Sequence, residues 1–212
     1  MPIDFKKTEK ELYQPKTVPS IIDVPEIVYF AIDGQGDPNT SAAYQSAVEA
    51  LYSLSYTIKM SYKSGNQPSG FYEYVVPPLE GFWTVGDDFY DEQSIADKSK
   101  FLWTSVIRQP EFVTEEVFGW AKETLANKKP NVDTSKVYLW KFSEGLCVQI
   151  MHIGSYDTES ITIQKLTEFT EKSGYQIDMS ENRRHHEIYL GDPRKTVPEK
   201  LKTVIRHPIR KG

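Results

Sequence analysis

The chain has 212 residues, enough for one large domain or two small ones around a shared core. With 39% hydrophobic and 26% charged residues, it has the composition of a folded protein and not of a disordered one. Its formal net charge is -5 and no basic block interrupts it, so it lacks the dense Lys/Arg surface that neutralises phosphate and a direct nucleic-acid partner is not expected.

Residues 1–24 are polar, charged and broken by Pro15 and Pro19, which predicts an extended arm or short edge element ahead of one domain over 25–212. The segment Met1-Pro2-Ile3-Asp4-Phe5-Lys6-Lys7 has no apolar signal-like core, and no apolar run reaches membrane-spanning length, so the expected compartment is the cytoplasm. Glu26 to Ile32 is rich in β-branched and aromatic residues and predicts a buried strand. Asp33-Gly34-Gln35-Gly36-Asp37-Pro38 ends it, and Asn39, Thr40 or Ser41 is placed to cap a helix with Tyr44, Ala47, Leu51 and Leu54 along one face. Phe71 to Val76 predicts a strand, turned by Pro77-Pro78 into a hairpin partner at Leu79 to Val85.

Two helices are predicted next, Ser94 to Ile107 and Thr114 to Lys128, the second burying Val117, Trp120, Ala121 and Leu125. Val137 to Phe142 and Leu146 to Ile153 read as strands joined by a tight turn at Ser143-Glu144-Gly145. A helix from Asp157 or Thr158 to Ser173 follows, with Ile163, Leu166 and Phe169 inward and Gly174 as its left-handed cap. Strands at Arg184 to Leu190 and Lys202 to His207 complete the chain. The order strand, Gly/Asp turn, capped helix, strand, Pro turn, strand thus occurs twice. It implies a duplication, with repeat one at about 25–90, a helical inter-repeat segment at about 91–130 and repeat two at about 131–212.

Chemistry-bearing motifs are sparse. Gly34-Gln35-Gly36 lacks the residues of a phosphate loop, and no nucleophile elbow occurs. His185 and His186 are neighbours on a strand, point to opposite faces and cannot share one ion, so neither metal nor other cofactor is expected. His152 reads as a satisfied histidine, and Cys147, the single cysteine, as a buried inert thiol that forms no disulfide. The informative feature is acid beside aromatic. Alternation puts Glu187 and Tyr189 on one strand face and His186, Ile188 and Leu190 on the other, without saying which face is inward. Outward, Glu187 is a solvated charge; inward, it is a carboxylate in an aromatic cleft, suited to a cationic ligand or to general-base work. Glu80 is a second such acid, between the rings of Phe82 and Trp83 and the Leu79 side chain, with an edge-strand charge as its plain reading. Tyr156 is placed either to cap a pocket mouth or merely to pack on the turn, while Trp103, Trp120 and Trp140 read first as core.

The segments Gly145-Leu146-Cys147-Val148-Gln149-Ile150-Met151-His152-Ile153-Gly154-Ser155-Tyr156-Asp157 and His186-Glu187-Ile188-Tyr189-Leu190-Gly191-Asp192-Pro193-Arg194 resemble the gyrase-inhibitor-like (GyrI-like) small-molecule-binding family, in its stand-alone bacterial branch. Pro77-Pro78-Leu79-Glu80-Gly81-Phe82-Trp83 and Phe101-Leu102-Trp103-Thr104-Ser105-Val106-Ile107-Arg108-Gln109-Pro110 match in the same order. The resemblance implies an α+β fold of tandem strand–helix–strand–strand repeats with pseudo-two-fold symmetry, antiparallel sheets with helices, and a ligand groove between the repeats, as in the effector-binding domains of multidrug regulators. It also implies flat, hydrophobic, often cationic small molecules as partners, with Glu187 as the glutamate that meets the cation. Some members resemble hydrolases that open the cyclopropane ring of genotoxic alkylating natural products. On that reading Glu187 and Glu80 activate water, Tyr189, Trp83 and Trp103 clamp the substrate, and Phe82, Tyr156 and Trp140 complete the wall. A third expectation is an interaction protein inhibiting a DNA enzyme. The roughly two dozen residues before the first strand are too few for a helix-turn-helix module, so direct transcriptional regulation is not expected. No feature of the sequence specifies an oligomeric state.

Overall fold

A computed structural model describes residues 1–85 and 98–212. Among the described residues seven strands and five α-helices follow in the order α1 (Phe5–Thr8), α2 (Lys10–Tyr13), β1 (Ser20–Gln35), α3 (Ala42–Lys59), β2 (Leu79–Thr84), β3 (Leu102–Arg108), α4 (Glu115–Lys128), β4 (Tyr138–Ile153), α5 (Glu159–Lys172), β5 (Tyr175–Ile177), β6 (His185–Tyr189) and β7 (Lys202–Lys211). All sheet pairings are antiparallel, in the order β4-β1-β3-β2-β6-β7-β5, and β4 pairs again with β7. That second pairing closes β4-β1-β3-β2-β6-β7 into a barrel, with β5 as an appendage on β7.

The barrel contains two equivalent units, β1-α3-β2-β3 and β4-α5-β6-β7. Exchanging β1 with β4, β2 with β6 and β3 with β7 reproduces every neighbour relation around the ring. The units meet along two seams, β1–β4 and β2–β6. Inside the barrel lie Tyr29, Ala31, Phe82, Val106, Cys147, Ile188 and Val204. Outside, α3 and α4 pack on Phe30, Ile32, Trp103 and Ile107, while α5 covers Val148, Ile150, Ile205 and Ile209. Ser41 caps α3 by accepting the Tyr44 N–H at 3.2 Å, and Thr114 caps α4 by accepting the Val117 N–H at 3.3 Å. No helix among the described residues is long and apolar enough to cross a membrane.

Several expected elements differ. Residues 101–107, expected to end a helix, instead run into β3, whose residues after Leu102 are buried on both faces; residues 94–97 of that expectation lie outside the described residues. A strand sandwiched between a barrel interior and a helix layer has no polar face, so the alternation that marks a strand is missing. Among the described residues of the inter-repeat segment the α-helix is α4, where Phe118 is buried and Trp120 half-buried. Phe71 to Val76 makes no ladder. Its one bridge joins Tyr74 to Ile3, because β2 already has β3 and β6 on its two sides. Ser143-Glu144-Gly145 is not a turn but a point within β4: Val24 pairs with Gly145 and Glu26 with Ser143 in one unbroken register. Pro25, without an N–H, stands opposite Glu144 there, and Gly145 adopts a φ of 69°. The N-terminal segment is no extended arm. Phe5, Leu12 and Tyr13 are buried, and the Glu9 carboxylate accepts two hydrogen bonds from the Arg108 guanidinium, at 2.7 and 2.8 Å.

Candidate functional site

The barrel wall at β6 separates two polar clusters. Because successive side chains alternate, His185, Glu187 and Tyr189 leave the outer face while His186 and Ile188 enter the interior. Both faces are buried, which resolves the choice left open by the pattern: Glu187 is 9% exposed beneath the helices, and His186 is fully buried within the barrel.

On the outer face, Glu187 is held at both oxygens. His185 Nε2 lies 2.8 Å from Oε1, and the Tyr189 hydroxyl donates to Oε2 at 2.6 Å. The Trp83 indole N–H in turn donates to the Tyr189 oxygen at 3.0 Å. Trp83 reaches it because Gly81, the register partner of Glu187, has no side chain: a Cβ there would sit 2.6 Å from the indole nitrogen. Behind His185, its Nδ1 is 2.6 Å from His207 Nε2, and His207 Nδ1 has no partner among the described residues. An ionised carboxylate only accepts, so His185 Nε2 carries a proton directed at Glu187. Burial, and after it the neighbouring His185, keeps His207 well below the ordinary histidine value, which makes it neutral.

The first residue of α5 completes this cluster. Glu159 is 5% exposed, and its carboxyl, the His185 ring and the Glu187 carboxyl place one ligand atom each within 4.8 Å of one another. Two carboxylates at this range do not both ionise readily. Burial first and Glu187 second push Glu159 well above the usual carboxyl range. Burial acts the same way on Glu187, but hydrogen bonds from His185, Tyr189 and Glu159 outweigh it and hold Glu187 below its ordinary value. The pair is thus one neutral acid beside one carboxylate. The same trio has the spacing of a divalent-cation site; with both Glu187 oxygens already accepting hydrogen bonds, the arrangement favours a shared proton over an ion.

Aromatic rings frame the acids. Tyr44 of α3 packs on Trp83 and Trp103, with ring centres 6.0 and 5.0 Å apart, and Tyr156 stands edge-on to Tyr189 at 5.8 Å. Tyr44, Tyr156 and Tyr189 are half-buried, so this seam between α3 and α5 reaches the surface. Burial and Glu187 raise the Tyr156 phenol to about 12, leaving it a proton donor at neutral pH.

The inner cluster is different in kind. His186 bridges Glu80 Oε2 at 3.1 Å and Glu144 Oε2 at 3.0 Å, and Arg206 donates to Glu144 at 3.1 Å and to Gln149 and the Leu12 carbonyl. The Tyr13 hydroxyl also donates to Glu80, at 3.4 Å. Burial disfavours the imidazolium, but Glu144 and Glu80 raise His186 above its usual value; against burial, His186 and Arg206 lower Glu144 to about 2. His186 and Arg206 thus tie Glu80, Glu144 and Gln149 into a closed structural network. Phe82 stacks on His186 at 3.9 Å, and Trp140 packs against Phe82.

Of the residues singled out in the sequence, the fold brings together Glu187, Tyr189, Trp83, Trp103 and Tyr156. It places Glu80, Phe82 and Trp140 on the other side of the wall, where they do not meet Glu187. Sequence reasoning overlooked Glu159 and His207, weighed His185 only as a metal ligand and read Tyr44 only as part of a helix face. An acid in the first turn of a helix is ordinarily a dipole partner, and nothing local distinguishes Glu159 from one. A separate open cleft of about 400 Å³, between α3 and α4, is lined by Tyr52, Tyr56, Met60, Leu125, Lys128 and Lys129 and contains no acid.

Comparison with known proteins agrees with this architecture. The chain matches the GyrI-like small molecule binding domain over residues 17–210. A hydrolase from Listeria innocua is 48% identical, with 98% of this chain and 100% of that chain covered and a TM-score of 0.90. An uncharacterized conserved protein from Listeria innocua is 50% identical over the same shares, with a TM-score of 0.93. The EcmrR C-terminal domain, 11% identical with 92% and 98% covered and a TM-score of 0.55, shares the fold. No curated protein matches in sequence. With nearly its whole length matched and its barrel of paired units in place, the chain belongs to the family of GyrI-like small molecule binding domains.

Proposed function

We propose that the seam over Glu187 binds flat, hydrophobic small molecules and hydrolyses those that carry a strained, electrophilic ring, with cyclopropane-bearing alkylators as the substrate class. The observation that carries this reading is the state of the acid pair: an ionised Glu187, aimed by His185 and Tyr189, beside a neutral Glu159 and under aromatic rings. Holding a ligand needs only the rings and the charge, whereas a carboxylate and a neutral acid side by side are the parts of general acid–base catalysis. The 48% identity to a Listeria innocua hydrolase supports the same direction.

Glu187 takes a proton from a water as the water oxygen bonds to the ring CH2 carbon. The ring C–C bond breaks, its electron pair passes into the conjugated carbonyl of the substrate, and the carbonyl oxygen takes up one proton. The net change is the addition of one water. Tyr44, Trp83 and Tyr156 hold the planar part of the substrate.

The test is to incubate the protein with a cyclopropyl-dienone alkylator and follow the mass gain of one water. Water addition that requires Glu187 supports the reading, and wild-type rates in Glu187→Gln sink the catalytic role. A non-catalytic sink for cationic aromatic molecules is the second reading, favoured by the same ionised carboxylate beneath ring faces. It predicts a cationic dye that binds and an alkylator recovered unchanged.

A further inference from the structure

We propose that Glu159 is the proton donor of this reaction and shares a single exchangeable proton with Glu187, an assignment that rests on the hydrolytic reading above. Three features of place support it. Glu159 is the first residue of α5, and a carboxyl oxygen of it lies within 4.8 Å of one of Glu187. Its side chain is buried, and its Oε1 has no hydrogen-bond partner among the described residues. Like His207 Nδ1 in the same cluster, this buried oxygen is a polar atom for which the cluster itself supplies no partner. Finally, it lies on the side of Glu187 where Tyr156 and Tyr189 bring the seam to the surface.

The groups facing the pair are few. From β6 come His185 and Tyr189, with His207 of β7 behind His185; from the 156–158 turn come Tyr156 and Asp157. Tyr44 approaches from α3, and Lys98 acts on Glu159 as a cation, too weakly to offset burial and Glu187.

Protons then balance in a closed cycle. The resting pair holds one proton, on Glu159. Glu187 gains a proton from the attacking water, and Glu159 gives its own to the carbonyl oxygen that receives the electron pair of the broken C–C bond. The pair then holds one proton on the wrong partner, and transfer from Glu187 to Glu159 restores the start without exchange with solvent. Both partners must be in the right state, so the rate falls as pH drops through the lower apparent pKa of the pair and again as pH rises through the upper one.

The experiment measures water addition to the cyclopropyl-dienone against pH for the wild type, Glu159→Gln, Glu159→Asp and Glu187→Gln, with substrate affinity and the carboxylic C=O infrared band recorded for each. Gln matches the neutral acid in shape and charge but has no acid proton. Glu159→Gln should retain affinity, lose the carboxylic band, lose the high-pH limb and slow turnover about 100-fold or more. Glu159→Asp should recover part of the rate. Glu159→Gln at the wild-type rate with its high-pH limb intact, or with the band still present, overturns the assignment while leaving Glu187 as base. No water addition by the wild type at any pH overturns the hydrolytic reading itself, and the donor role with it.

Discussion

Glu80 and Glu187 stand across one strand seam, Glu187 paired with Gly81, yet their carboxyl groups lie on opposite sides of the barrel wall. Glu80 meets His186 inside and Glu187 meets His185 outside, so two histidines adjacent in sequence serve two unconnected networks. Two acids that look alike in the sequence thus have separable roles.

Glu80→Gln should lower stability by about 1.5–3 kcal/mol, because a buried imidazolium loses a charged acceptor. Urea unfolding reads this directly. Water addition by the folded fraction should stay at the wild-type rate, and a matching loss of turnover would place Glu80 in the chemistry after all.

Tyr189→Phe removes the donor to Glu187 Oε2 and leaves the Trp83 indole N–H without its acceptor. A hydrogen bond to the charged form lowers a carboxyl pKa, so its loss raises that of Glu187. The low-pH limb of the rate profile should move toward neutral pH. A limb that does not move would show that Tyr189 does not control the base.

Gly81→Ala tests the aromatic floor. The new Cβ would fall 2.6 Å from the Trp83 nitrogen, so the ring must leave its place over the strand. Overpacking of this kind costs about 1–3 kcal/mol. We expect weaker ligand binding and altered tryptophan emission, measured by dye titration and fluorescence, in a protein that still folds.

The inner network predicts acid sensitivity. Glu144 is ionised in the fold down to about 2, against an ordinary value of 4.5. A depressed carboxyl contributes stability that is complete above the unfolded value and lost as pH falls through the folded one, here about 3 kcal/mol between about 4.5 and 2. His207, neutral and buried, adds to the loss below its ordinary 6.5, since unfolding frees it to take a proton. In Glu144→Gln, urea midpoints measured against pH should be lower at neutral pH and should fall less steeply below about 4.5.

Helices with a capping residue and one apolar face were legible in the sequence, as α3, α4 and α5 illustrate. So was the alternation on β6, because it depends only on spacing. β3 was not, since burial on both faces erases its period. Gly145 was misread because a glycine with positive φ marks a turn in most settings, and here accompanies Glu144 pointing into the barrel. Family resemblance put Glu187 and Tyr189 among the site residues. His185 shares the strand face of Glu187 by the same alternation, but Glu159 and His207 enter the site through contacts of 22 to 28 residues in sequence, which no local pattern encodes.

Ring closure by β1–β4 and β2–β6 also makes each unit dependent on the other. Cut between β3 and β4, either half would present two bare strand edges, β1 and β2 in one and β4 and β6 in the other, each ready to recruit a further chain. The halves should therefore aggregate when produced alone and reconstitute the ring when produced together. Since Gly81 and Trp83 come from the first half and Glu159, Glu187 and Tyr189 from the second, ligand recognition would return only with that reunion.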